Sequence, residues 1–221
     1  MQTDLLTPSE FDTHVANGTF RLAFIGMSNA GKTYRSRKLY NDLDFLWFHV
    51  DREIQKELGF ENMEDISEWI GFPSSDTYTE REAKYLELEN KHTKLSSMRT
   101  DGKNFVFDTT GSVAHLDQDT LDILHENCLI VHLDVGEDSL EEMMERFFSH
   151  PKPVAWVGYF NPQQSESEEE TLRRSYPKLL TDRLRIYRNL AHLNIPAQKM
   201  RDKSAEETLQ IIRSYLVKAK P

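Results

Sequence analysis

Residues 26–33 read GMSNAGKT, directly behind the apolar run RLAFI and ahead of YRSRKLY. No other stretch restricts the possible fold so tightly. Gly26, Gly31, Lys32 and Thr33 satisfy the pattern G-x-x-x-x-G-K-T, with a strand signal before it and a helix signal after it. The glycines let the backbone wrap so that the N–H groups of Gly26, Met27, Ser28, Asn29, Ala30, Gly31, Lys32, Thr33 and Tyr34 face phosphate oxygens. A helix opening at Lys32 adds its positive end to the same hollow. Lys32 is then expected to reach the outer phosphates and Thr33 to offer its hydroxyl to Mg²⁺, with ATP as the nucleotide. The competing reading is a glycine-rich turn without chemistry.

A phosphate loop implies an α/β chain, and the rest of the pattern agrees. Short β-branched and aromatic runs alternate with longer amphipathic stretches, the mark of βαβ units feeding a parallel sheet. Strands are predicted at 21–25, 45–50, 104–107, 129–133 and 194–197, the last at an edge because Pro196 lacks a ladder donor. Helices are predicted at 32–41, 52–58, 63–70, 79–97, 116–126, 139–148, 168–175, 179–193 and 205–218. At 221 residues the chain suits one core with insertions. Two segments break the rhythm: the long crossover between the second and third strands, and the proline-bearing stretch SHPKPVAWVGYFNPQQSESEEE, read as a functional loop or a linker.

The formal net charge of -10 argues against nucleic acid or an anionic membrane as partner. The single cysteine, Cys128, fits a reducing compartment, and the amino-terminal MQTDLLTPSEFDTHVANG lacks a leader-like apolar run, so the cytoplasm is expected. His125, Cys128 and His132 superficially suggest a metal site, but Cys128 and His132 have the even spacing of buried strand positions. No N-K-x-D stretch for reading a guanine base is present.

The loop, HVDREI at 49–54, EREAKYL at 80–86, DTTGSV at 108–113, LIVHLDV, and DRLRIY followed by AHLNI together resemble the shikimate kinase family, collinearly from about Phe24 onward. The resemblance implies a three-layer P-loop NTPase fold with a five-stranded parallel sheet in the order 2-3-1-4-5. It also implies an N-terminal extension over 1–20, a helical substrate-binding insertion over about 52–100 and a mobile lid over about 149–175. The implied activity is transfer of the γ-phosphoryl group of ATP, with Mg²⁺, to a hydroxyl of a small metabolite, in a monomer or homodimer.

Carried across residue by residue, Asp51 matches the second aspartate of the family's D-x-D, which holds the acceptor hydroxyl, while His49 stands at the first. Asp108 joins Thr33 as a magnesium residue. Thr109-Thr110-Gly111 replaces a triple glycine, so Thr110 and Gly111 are expected against the acceptor. Arg183 matches a late substrate-contacting arginine, Thr79 falls at the arginine of FR-x-x-E, and Arg81 lies half a turn away. Arg146 and Lys152 are the lid cations expected to reach the transferred phosphoryl group. The changes at Thr79 and Thr110 point to an acceptor other than shikimate, since a threonine does not replace a bidentate guanidinium.

Each assignment has a plainer counterpart. Asp51 also suits a helix N-cap, Asp108 a turn, Arg183 a solvated arginine-rich face and Arg81 an exposed helix of spaced opposite charges. Trp156, Tyr159 and Phe160 fit either ligand stacking or packing of the lid. Two other functions share the loop: a nucleotide-binding regulatory protein without phosphotransfer, favoured by His49 and Thr79, and a nucleoside monophosphate kinase.

Overall fold

The computed structural model describes residues 5–99, 102–149 and 154–218. Its five strands are β1 (Arg21–Ile25), β2 (Leu46–His49), β3 (Phe105–Asp108), β4 (Leu129–Asp134) and β5 (Leu193–Pro196). They form one parallel sheet in the order β2-β3-β1-β4-β5, the order implied by the family resemblance.

Alternation along the strands creates two cores. Ala23, Ile25, Phe105, Phe107 and Ile130 face one side, while Leu22, Phe24, Val106, Leu129 and Val131 face the other. The first side is covered by α3 (Val50–Leu58), α4 (Met63–Ile70), α5 (Tyr78–Ser97), α6 (Gln118–Asn127), α7 (Asp138–Ser149) and α8 (Glu168–Leu190). The second is covered by α1 (Pro8–Asn17), α2 (Lys32–Leu43), the single turn α9 (Ala197–Met200) and α10 (Ala205–Lys218). Central strands buried on both faces read as continuous apolar runs, which is why RLAFI and LIVHLDV were legible.

Besides the short turns Val113–His115 and Ala197–Met200, which the sequence reading did not contain, two helices differ from it. α1 lies within what was read only as an extension. Thr7 and Glu10 close a reciprocal capping box around Pro8, and Phe11 packs edge-on against Phe20 at 4.8 Å. The predicted helices 168–175 and 179–193 are one helix of 23 residues, α8, that runs through Pro177. The missing N–H costs one helical bond, but the apolar stripe of Leu172, Tyr176, Leu179, Leu180 and Leu184 continues across it, so packing outweighs the local break.

Replacing Pro177 with alanine restores the missing donor and is expected to stabilise the chain by about 1–3 kcal/mol. Thermal unfolding of Pro177→Ala checks this; an unchanged or lower Tm would mean that the ring packs productively inside α8.

Candidate active site

The carboxyl ends of β1, β2 and β3 deliver the site. Gly26, immediately after β1, has φ +138, and a β-carbon there would lie 2.9 Å from the Leu133 carbonyl of β4. Only glycine fits both demands. Asn29 (φ 65) and Gly31 (φ 97) continue the turn into α2, and Gly31 occupies the N-cap without a side-chain bond. The hollow is therefore formed by main-chain N–H groups and the start of a 12-residue helix. Met27 and Ala30 send their side chains into the two cores, so they offer only backbone.

Lys32 is 7% exposed, and its Nζ donates to the carbonyls of Gly26 (2.7 Å) and Met27 (3.0 Å). Burial lowers its pKa, opposed first by the charge of Asp108 and then by that of Asp51. An ammonium stripped of water and satisfied by two neutral carbonyls binds an added anion strongly.

Asp108 ends β3 and is buried; His49 stands beside it in register on β2, with Nε2 3.5 Å from Oδ2. Burial pushes the Asp108 carboxyl up, while His49, Thr33 and Lys32 pull it down. Its Oδ2 has no hydrogen-bond partner. A buried carboxylate oxygen that makes no hydrogen bond beyond the 3.5 Å approach of His49, next to the Thr33 hydroxyl, fits a hard cation such as Mg²⁺. Among the described residues no group of three or more His, Cys, Asp or Glu forms a metal cage. Magnesium rarely uses one, since nucleotide phosphates and water supply most of its shell.

Asp51 lies in the first turn of α3 and accepts a hydrogen bond from the Tyr85 hydroxyl at 3.0 Å. Thr110 turns its hydroxyl to Glu89, and Ser112 donates to the second oxygen of the same carboxylate at 2.6 Å. Tyr187 donates to the Gly111 carbonyl. Gly111 itself faces the Ser28 hydroxyl, which a β-carbon would approach to 3.4 Å. Arg183 is buried: its Nε donates to His115 Nε2 (3.2 Å) and its Nη2 to the Ala155 carbonyl (2.7 Å). Burial, reinforced by Arg183, depresses the His115 pKa to about 4, so this imidazole accepts as a neutral ring.

Lys32, Thr33, Asp51, Asp108, Thr110, Gly111 and Arg183 thus converge, whereas other sequence candidates lie apart. Arg81 donates to the Trp69 carbonyl at 2.7 Å, and Thr79 is exposed at the start of α5. Arg146 pairs with Glu142 on the exposed face of α7 and lines a cleft of about 540 Å³ with Ser28 and Asn29. Lys152 lies outside the described residues. Tyr34 borders a second cleft, of about 270 Å³, with Gly31, Gln198 and Arg201. Asn29 and Arg201 line both clefts, which therefore adjoin at the phosphate loop. A hollow of about 230 Å³ beside Phe20, Arg21 and Cys128 sits at the opposite ends of β1 and β4, away from the usual ligand edge of such sheets.

Sequence reasoning missed Tyr85, Glu89, Ser112 and Arg201. For the first two a signal existed: Tyr85-Leu86-Glu87-Leu88-Glu89 keeps the aromatic and the glutamate of FR-x-x-E at their spacing, which moves the arginine position to Leu86 and corrects its assignment to Thr79.

Residues 28–213 match the family model for shikimate kinase. A search of curated proteins gave no match. Among solved structures, shikimate kinase from Acinetobacter baumannii in complex with shikimate aligns with a TM-score of 0.60 and 22% identity, over 93% of this chain and 97% of that one. Shikimate kinase from Bacteroides thetaiotaomicron aligns at 0.59 and 20% identity, over 90% and 98%. The Aquifex aeolicus enzyme aligns at 0.56 and 22%, over 90% and 96%.

Burial holds the Glu89 carboxyl up to about 7, with the bonds from Ser112 and Thr110 pulling it down and the charge of Asp51 raising it. Its folded pKa exceeds the usual 4.5, so its contribution to stability is intact below that value and is lost as pH rises through about 7. Glu89→Gln should therefore gain on the wild type across that window, by up to roughly 3 kcal/mol at pH 8. Unfolding midpoints of both proteins at acid and alkaline pH check this, and a pH-independent difference would contradict it.

Proposed function

This chain belongs to the shikimate kinase family, ATP- and Mg²⁺-dependent kinases of an alcohol acceptor, and from that premise we propose its acceptor and the roles of its side chains. The acceptor is a small hydroxylated metabolite other than shikimate, bound between Asp51, Gly111 and Arg183. The observation that carries this is the absence of any α5 arginine among the residues gathered at Asp51: Arg81 is committed to Trp69, and Leu86 stands at the motif's arginine. One observation favours shikimate itself. Buried Arg183 hydrogen-bonds the neutral His115 ring and the Ala155 carbonyl, which leaves its charge suited to a carboxylate, and the Acinetobacter relative is a shikimate complex.

In the proposed reaction the acceptor O–H bond breaks as a new O–P bond forms, and the bond from the γ-phosphorus to its bridging oxygen breaks to release ADP. Asp51 orients the hydroxyl and takes its proton late; positioning carries most of the rate. Lys32 leaves the loop carbonyls for phosphate oxygens and offsets their charge. Thr33 and Asp108 would hold Mg²⁺, which when bound with the nucleotide neutralises charge on the phosphates. Arg146 lines the cleft that Ser28 and Asn29 of the loop also border, and Lys152 is assigned the same role from the sequence alone. The substrate-binding insertion (about 52–100) and the lid (about 149–175) are part of this proposal, as is a cytoplasmic setting.

ADP release from MgATP across shikimate, neutral polyols and nucleosides tests the reading. Stimulation by a non-shikimate alcohol is expected; selective stimulation by shikimate would overturn the acceptor assignment. Asp51→Asn should lower turnover about a hundredfold or more while leaving the ATP Kd near wild type. Wild-type turnover in that variant would remove Asp51 from the reaction.

A further inference from the structure

Asp51 has a short stem and a broad terminal torsion, and nothing in α3 itself fixes the plane of its carboxylate. That plane decides whether a hydroxyl above the phosphate loop meets a lone pair. The contact that fixes it comes from α5, where the Tyr85 hydroxyl reaches Asp51 Oδ1 at 3.0 Å. Tyr85 is itself 7% exposed, its ring buried with Val50, Ile54 and Leu88 in the core beneath the site. One α-helical turn further along, Glu89 holds Thr110 and Ser112. The same face of α5 therefore supports both walls of the acceptor cleft.

We infer that Tyr85 is a positioning residue for phosphoryl transfer, occupying Oδ1 of Asp51 and turning the other carboxylate oxygen toward the acceptor hydroxyl. The inference rests on the proposed role of Asp51. Burial, with the charges of Asp51 and Glu89, pushes the Tyr85 phenol well above its ordinary pKa, so it stays a donor throughout the working pH range. A phenylalanine would fill the same core but leave the carboxylate free to rotate. Tyr85 thus restricts Asp51 without touching substrate, and its effect belongs to kcat.

The test is Tyr85→Phe, which deletes one oxygen. MgATP turnover is measured with water as the acceptor. The expected result is a kcat about tenfold lower, with the KM for MgATP and the Tm near wild type. In an Asp51→Asn background the same change should add no further loss, because the group it positions is already disabled. Independently of turnover, the tyrosine ζ-carbon NMR signal that vanishes in Tyr85→Phe should shift in Asp51→Ala. Wild-type kcat in Tyr85→Phe, an equal loss in both backgrounds, or an unmoved ζ-carbon signal would each overturn the inference. If Asp51→Asn alone turns over like wild type, the functional reading fails instead, and the NMR comparison still decides whether the contact exists.

Discussion

A lysine ammonium held out of water by the carbonyls of its own loop is the arrangement on which the site depends. Lys32 can stay charged at 7% exposure because Gly26 and Met27 accept from it and because the charges of Asp108 and Asp51 favour its ammonium. Those positions require the loop to turn sharply against β4, and the turn requires glycine at 26, where any β-carbon would strike the Leu133 carbonyl. The glycine, the strand order and the lysine thus form one constraint. With β1 between β3 and β4, the loop lies beside Asp108 on one flank and against Leu133 on the other.

The sheet register does the remaining placement. His49 and Asp108 are paired residues of β2 and β3, so the chain positions an imidazole and a carboxylate together without any loop. Two residues after His49 comes Asp51, already on a helix, and two after Asp108 comes Thr110, already in a turn held by Glu89. The nucleotide side and the acceptor side therefore share a single line of strand ends. Lys32 is the buried cation that Asp108 and Asp51 both stabilise.

Legibility in the sequence followed the range of the interaction responsible. The phosphate loop is local, so its residues and its flanking strand and helix could be read directly. The three central strands, β1, β3 and β4, could be read because residues buried on both faces form continuous apolar runs, whereas the edge strand β5 alternates buried and exposed residues. The capping box at Thr7 and Glu10 was equally local and marks α1 with a signal as clear as any in the chain. Pro177 misled because a local rule predicts a break where long-range packing of α8 prevails. Tyr85 and Glu89 were hidden inside EREAKYLELENK, whose spaced charges have the look of a solvated face; only the approach of α3 and the 109–112 turn buries them. Arg183 could be singled out from the family resemblance, but its partners His115 and Ala155 lie 68 and 28 residues away, beyond any motif.

The central claim is that main-chain amides around Lys32, together with its ammonium, form a seat for the phosphates of ATP. Isothermal titration of MgATP into the wild type and into Lys32→Ala tests it most directly. The account predicts saturable one-to-one binding by the wild type and a loss of at least about tenfold in affinity on removing the ammonium. No heat of binding from the wild type, or equal affinity in both proteins, would contradict it.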